Sequence, residues 1–115
     1  MPAQIFNILF DLDGTIINTA PDLMAAHNHV MRKFGYEEKK MSDIKALAGK
    51  GAWVMMQRSF KEKINDENLK KNMTKEFIEY YSKNIDTHSK PVNGLIDFLK
   101  WAKSKKIIMA VCTNK

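Results

Sequence analysis

The chain has 115 residues, 44% of them hydrophobic, which is enough for one domain with a modest core. No apolar stretch approaches the roughly 20 residues needed to span a bilayer, so no membrane partner is expected. The formal charge is +6, but the nineteen Lys and Arg residues are interleaved with acids and apolar positions. Lys39-Lys40, Lys70-Lys71 and Lys105-Lys106 are only doublets, whereas a nucleic-acid surface needs a clustered basic stripe with aromatics for stacking. These lysines read as solvated helix faces, and no nucleic-acid partner is expected. Met1-Pro2-Ala3-Gln4 has no charged region ahead of an apolar run, so no signal peptide is expected. The single cysteine, Cys112, excludes an internal disulfide and fits a reducing compartment, with the cytoplasm as the expected location.

In chain order, Ile5 to Phe10 is a short apolar run suited to a strand buried on both faces. It ends in Asp11-Leu12-Asp13-Gly14-Thr15. A helix is predicted over Pro21–Phe34, with Pro21 and Asp22 in its first turn, Leu23, Ala26 and Val30 on one face, and Gly35 as its stop. Ser42 caps a short second helix ending near Ala48, and Gly49-Lys50-Gly51 forms a loop. A third helix is predicted over Ala52–Phe60, carrying Trp53, Met56 and Phe60. A fourth runs from Asn65 or Asp66 to about Lys83, with Leu69, Met73, Phe77 and Tyr80 or Tyr81 on one face. Gly94 opens an amphipathic helix with Leu95, Phe98, Leu99 and Ala102 facing inward, and Ile107 to Val111 reads as a second buried strand. Strand, helices and parallel strand make an α/β pattern, in which the four middle helices are an insertion too large for a simple crossover.

The chemistry-bearing residues cluster at strand ends. Successive strand side chains point to opposite faces, so Asp11 and Asp13, two apart, are expected to project to the same side, and Gly14 frees the backbone to turn. Two carboxylates at the carboxyl end of a parallel strand stand where open α/β sheets bind ligands. Taken alone, Asp-x-Asp is equally a turn cap. Thr113 and Asn114 close the second strand on the same edge, where a hydroxyl and nearby N–H groups can hold a phosphate oxygen, although Thr-Asn is also ordinary turn chemistry. His27, His29 and His88 have no metal-ligand spacing and read as core or surface histidines. Cys112 reads as a buried small hydrophobe.

The run Asn7 to Thr15 resembles the first motif of the haloacid dehalogenase-like hydrolase superfamily, a hydrophobic strand followed by Asp-x-Asp-Gly-Thr. Ile16 to Leu23 looks like the segment leading into the helical cap of phosphoglycolate phosphatases. Pro91-Val92-Asn93-Gly94 looks like the start of the helix returning to the core, and Ile107 to Lys115 resembles the second core strand with its Thr-Asn-Lys ending. The resemblance implies a Rossmann-like parallel sheet core over residues 1–16 and 89–115, incomplete here, with an α-helical cap over residues 17–88. It implies magnesium-dependent phosphomonoester hydrolysis through an aspartyl-phosphate. Asp11 would be the nucleophile and a metal ligand, and Asp13 the acid and base whose carbonyl also touches the metal. Gly14, Thr113 and Asn114 would bind phosphate. Gly49, Lys50 and Gly51, with Arg58 behind them, would read the leaving group of a small phosphorylated metabolite such as 2-phosphoglycolate. From the residues alone that loop is a helix–helix turn with an exposed lysine.

Within the superfamily, transport ATPases carry threonine two residues after the nucleophile and dehalogenases lack an acid there, so Asp13 favours a phosphatase or phosphomutase. Phosphoglycolate phosphatase is the expected subfamily, with a phosphohexomutase as the alternative. The family's later lysine and acidic pair have no counterpart in these 115 residues, and two parallel strands alone are marginal in water. The expectation is an N-terminal half of a longer enzyme with little or no activity by itself. A non-catalytic binding module is the alternative from another class, and the oligomeric state is open.

Overall fold

The computed structural model describes residue 4, residues 6–59 and residues 65–113. Ile5, Phe60, Asn114 and Lys115 lie outside the described residues. The fold is α/β. Strand β1 (Asn7–Asp11) pairs in parallel with β4 (Ile108–Cys112), in a register that sets Asn7 against Ile108 and Asp11 against Cys112. Between them run α1 (Ala20–Lys33), a 3-10 turn (Met41–Asp43), α2 (Ile44–Leu47), α3 (Ala52–Arg58), α4 (Glu67–Lys83) and α5 (Leu95–Ser104). The helical insertion after the first strand matches the predicted order.

Each helix boundary has a local cause. Pro21 sits in the first turn of α1, where its missing N–H removes nothing, and Asp22 lies at the positive end of the dipole. Asp66 caps α4 by accepting from Leu69 N–H at 3.0 Å, so the helix begins one residue after the predicted start. Thr19 occupies the cap position of α1 without a side-chain cap bond.

The main buried cluster belongs to the insertion. Met24, Ala26, Val30 and Met31 of α1 pack with Leu47, with Met55 and Met56 of α3, and with Met73 and Phe77 of α4. Methionine fills this space because its unbranched thioether adapts to irregular gaps between helices. Where α3 meets α4, the Lys70 ammonium lies 4.3 Å from the centre of the Trp53 ring, and its stem is buried.

The strand pair corrects three expectations. β1 and β4 are not buried on both faces: Leu9 is 69% and Ile108 70% exposed. Cys112 is exposed rather than buried. Phe98 is exposed as well, and only Leu95 and Ala102 of the predicted inward face of α5 are buried. The cause is shared. Among the described residues the sheet has two strands, and α5 reaches it through an edge-on contact between Phe98 and Phe10 with ring centres 6.2 Å apart. Apolar patterning marks a strand as fit for burial, but burial requires a layer on each face.

Two short strands that periodicity could not reveal join the sheet to the helices. β2 (Ile17–Asn18) pairs antiparallel with β3 (Lys90–Pro91), so the chain entering the insertion is stitched to the chain leaving it. Val92 N–H donates to the Ile16 carbonyl at 2.9 Å and extends the seam.

Candidate active site

The site is built at the carboxyl edge of β1 and β4. β1 ends at Asp11, and the chain folds immediately into a tight turn. The Leu12 carbonyl accepts from the N–H groups of Thr15, Ile16 and Ile17, each at 3.2 Å, and Gly14 N–H donates to the Ile17 carbonyl at 2.8 Å. Gly14 has φ +76°, a left-handed conformation that side chains with a Cβ rarely adopt, and this is why glycine stands between the acids and Thr15. The turn brings Thr15 back over the strand end, where its Oγ1 donates to Asp11 Oδ2 at 3.2 Å. Asp11 is exposed and Asp13 half-buried.

Parallel pairing adds a second arm. Because Cys112 is the register partner of Asp11, Thr113 emerges one residue beyond it on the neighbouring strand, and paired strands lie about 4.8 Å apart. Asp11, Asp13, Gly14 and Thr113 are thus gathered at one sheet edge from segments about a hundred residues apart in the chain. Asn114 lies outside the described residues.

The loop residues stand elsewhere. Gly49, Lys50 and Gly51 connect α2 to α3, and Lys50 is exposed. Arg58, at the far end of α3, donates from Nη1 to the Ala46 carbonyl at 3.2 Å. Its guanidinium braces α3 against the segment before the loop, a structural contact that no local pattern signals. A shallow hollow on the helices is lined by Trp53, Lys71, Thr74, Lys75, Ile78 and Glu79, and includes none of the predicted site residues.

Four side chains gain partners that the local sequence left open. Thr15 holds the Asp11 carboxylate, and its position four residues on, across a glycine turn, was the available signal. Asp22 is buried and accepts from His88 N–H, Ser89 N–H and Ser89 Oγ, the last at 2.6 Å. Burial alone would raise this carboxyl, but the bonds from the Ser89 hydroxyl and the two backbone amides outweigh it and hold the group below the usual carboxylate range. His27 is buried against Ser59, whereas His29 bonds Glu76 at 2.9 Å and stacks on Tyr80. Their spacing of two sets these histidines on different faces of one helix, and the packing decides which face is buried.

Residues 8–115 match the family described as haloacid dehalogenase-like hydrolase, and the chain belongs to that family. Its relatives include phosphoglycolate phosphatases. It is 36% identical over 109 residues to the phosphoglycolate phosphatase of Agrobacterium fabrum, covering 93% of this chain and 47% of the relative. It is 32% identical over 110 residues to that of Mesorhizobium japonicum, covering 94% and 48%. The crystal structure of a predicted phosphoglycolate phosphatase from Haemophilus somnus shares the fold with a TM-score of 0.88 at 30% identity, over 98% of this chain and 53% of that one. CbbY from Rhodobacter sphaeroides, in complex with phosphate, shares the fold with a TM-score of 0.71 at 21% identity, over 96% and 51%. The chain spans about half the length of the curated relatives it matches. No helix among the described residues is long and apolar enough to cross a membrane.

Proposed function

We propose that this chain carries the nucleophile-bearing part of a phosphomonoester hydrolase, most similar to phosphoglycolate phosphatase and cytoplasmic, with residues 1–16 and 89–115 as core and residues 17–88 as cap. The observation that supports the reading is the β1–β4 register, in which Thr113 follows Cys112, the partner of Asp11, while Thr15 donates to Asp11 Oδ2.

In this reading Asp11 Oδ1 attacks phosphorus. The bond from phosphorus to the ester oxygen breaks, and the Asp13 carboxyl gives its proton to the departing alkoxide. Water then attacks the aspartyl-phosphate while Asp13 takes the water proton. The bond between phosphorus and Asp11 breaks, inorganic phosphate leaves, and both carboxyl groups return to their starting states. Thr15 orients the nucleophile by occupying its other oxygen. Gly14 keeps the turn open beside the phosphoryl group, and Thr113 with Asn114 donates to its oxygens as charge develops.

A carboxylate and a phosphate repel each other, so this chemistry calls for a cation. Among the described residues no three His, Cys, Asp or Glu groups converge on one point. Mg²⁺ needs fewer, because it is commonly held by one or two carboxylates with substrate phosphate oxygens and water completing its shell. The hard oxygens of Asp11 and Asp13 fit that demand. When bound, the ion would screen the two anions and polarise the phosphoryl oxygens. By the resemblance to the family's cap loop, Lys50 would meet a carboxylate on the leaving group, and the substrate class proposed on that ground is 2-phosphoglycolate.

The test is hydrolysis of 2-phosphoglycolate with and without magnesium, by the chain alone and by the chain joined to the carboxyl-terminal half of the Agrobacterium fabrum relative. The joined protein is expected to turn over only with magnesium, and Asp11→Asn to lower kcat by at least about 10³-fold. The chain alone is expected to show little turnover. Retention of activity in Asp11→Asn overturns the assignment.

A further inference from the structure

His27 is fully buried in the helical core, yet both its ring nitrogens have polar partners. Nδ1 lies 3.1 Å from Asn28 Oδ1, and Nε2 lies 2.5 Å from Ser59 Oγ. The orientation of Asn28 is set by two further bonds: Lys39 N–H donates to Oδ1 at 2.8 Å, and Nδ2 donates to the Lys39 carbonyl at 2.9 Å. Turning the amide over would oppose donor to donor and acceptor to acceptor. Since Oδ1 only accepts, His27 Nδ1 must carry a hydrogen.

That requirement leaves Nε2 as the variable atom. Ser59 has one hydroxyl hydrogen and two acceptors within reach, His27 Nε2 and the Met55 carbonyl at 2.8 Å. With His27 neutral, Nε2 is a bare acceptor and the hydroxyl donates to it, while the Met55 carbonyl keeps its bond from Ser59 N–H at 3.1 Å. With His27 protonated, Nε2–H donates to Ser59 Oγ, and the hydroxyl turns to Met55. Both states leave every one of these groups paired.

We propose that His27 and Ser59 form a proton-responsive tie between α1 and the end of α3, in which the Ser59 hydroxyl switches between His27 Nε2 and the Met55 carbonyl. The tie survives protonation, but the charge that protonation brings into the methionine core weakens the helical unit. Burial disfavours the cation, the Asn28 bond offsets part of that, and the Lys39 charge adds to burial, so the imidazole is held below the usual histidine range. Several charged side chains of the helices packed together here have partners of their own. Arg58 on α3 turns to Ala46, Lys70 on α4 lies over Trp53 beside Glu67, and Glu76 on α4 is taken by His29 and Lys33. On α1 itself, Arg32 pairs with Glu38.

The sign follows. A histidine whose folded pKa lies below its unfolded value of about 6.5 contributes full stability above that pH and loses it as pH falls toward the folded value. One proton corresponds to at most about a tenfold rise in the unfolding constant per pH unit. The device concerns the helical unit alone and does not depend on the phosphatase reading.

The deciding experiment is NMR of the 115-residue chain labelled with nitrogen-15 at histidine, titrated from about pH 8 to about pH 5. Neutral His27 is expected to hold its hydrogen on Nδ1, with Nε2 bare, and to titrate below the ordinary histidine range. Ser59→Ala is expected to push the titration lower still, because the cation loses a charge-assisted bond and the neutral form only an ordinary one. In urea unfolding, His27→Gln is expected to remove the corresponding pH slope. A hydrogen on Nε2 in the neutral form, titration in the ordinary range, or a titration unmoved by Ser59→Ala overturns the proposal. The wild-type spectrum decides even if a variant fails to fold.

Discussion

Asp22 shows how one buried carboxylate can hold two distant segments together. It leaves the first turn of α1 and accepts from His88 and Ser89, which lie just before β3, so it fastens the way into the helical insertion to the way out. Replacing it by alanine removes from a buried position the charged acceptor shared by two backbone amides and a hydroxyl. Asp22→Ala is therefore expected to lower stability by about 2–4 kcal/mol in urea unfolding at neutral pH. Because its folded pKa is depressed, its contribution is present above the unfolded value of about 3.9 and is lost as pH falls through the folded value. The difference between wild type and Asp22→Ala should accordingly shrink in acid, below about pH 4. Thr15 acts at the same scale on a different group: its hydroxyl donates to one oxygen of the Asp11 carboxylate.

At the scale of elements, α3 depends on what bounds it. It has seven residues, too few to be stable on propensity alone, and it is secured by Met55 and Met56 in the core, by Arg58 to Ala46 and by Ser59 to His27. Its entrance is Gly51, at φ +88° and ψ +169°, a region essentially reserved for glycine. A Cβ added there would meet nothing within 4 Å, so the penalty is conformational and not steric crowding with neighbours. Gly51→Ala is expected to destabilise by about 1–3 kcal/mol, read as a lower urea midpoint with an unchanged slope. Lys50→Ala beside it, on an exposed residue, should move the midpoint within about 0.5 kcal/mol. This pair separates backbone strain in the loop from any part that Lys50 takes in binding.

The whole molecule is elongated. Its radius of gyration is 17.5 Å and its extents are 57 × 26 × 23 Å, whereas a compact domain of this length has a radius near about 13 Å. The buried cluster lies entirely among α1 to α4, while β1 and β4 present Leu9, Ile108 and Val111 to solvent. Stability should be distributed in the same way, since amide protection follows burial and local packing. Hydrogen exchange on the 115-residue chain is expected to be slowest in α1 and α4 and much faster in β1 and β4, as two strands without a covering layer are marginal in water. Equal protection in the strand pair and in α1 would contradict this distribution.

Local chemistry carried much of this in the amino-acid order alone. Helical periodicity, Pro21, Asp66 and Gly94 placed the helices to within a few residues, because caps and apolar spacing act over one or two turns. The Asp11 to Thr15 run and Thr113 were legible as a candidate site, since strand ends followed by acids, glycine and threonine have a local signature. Tertiary structure alone decided which pieces meet. The register that pairs Asp11 with Cys112, the seam of β2 with β3, and the partners of Asp22, 66 and 67 residues away, depend on chain paths that no local pattern encodes. It also sorted the histidines, burying His27 and leaving His29 near the surface, and it exposed β1, β4 and Cys112. The reason is the same throughout: a side chain's type states what environment it tolerates, and only the elements packed around it determine which one it receives.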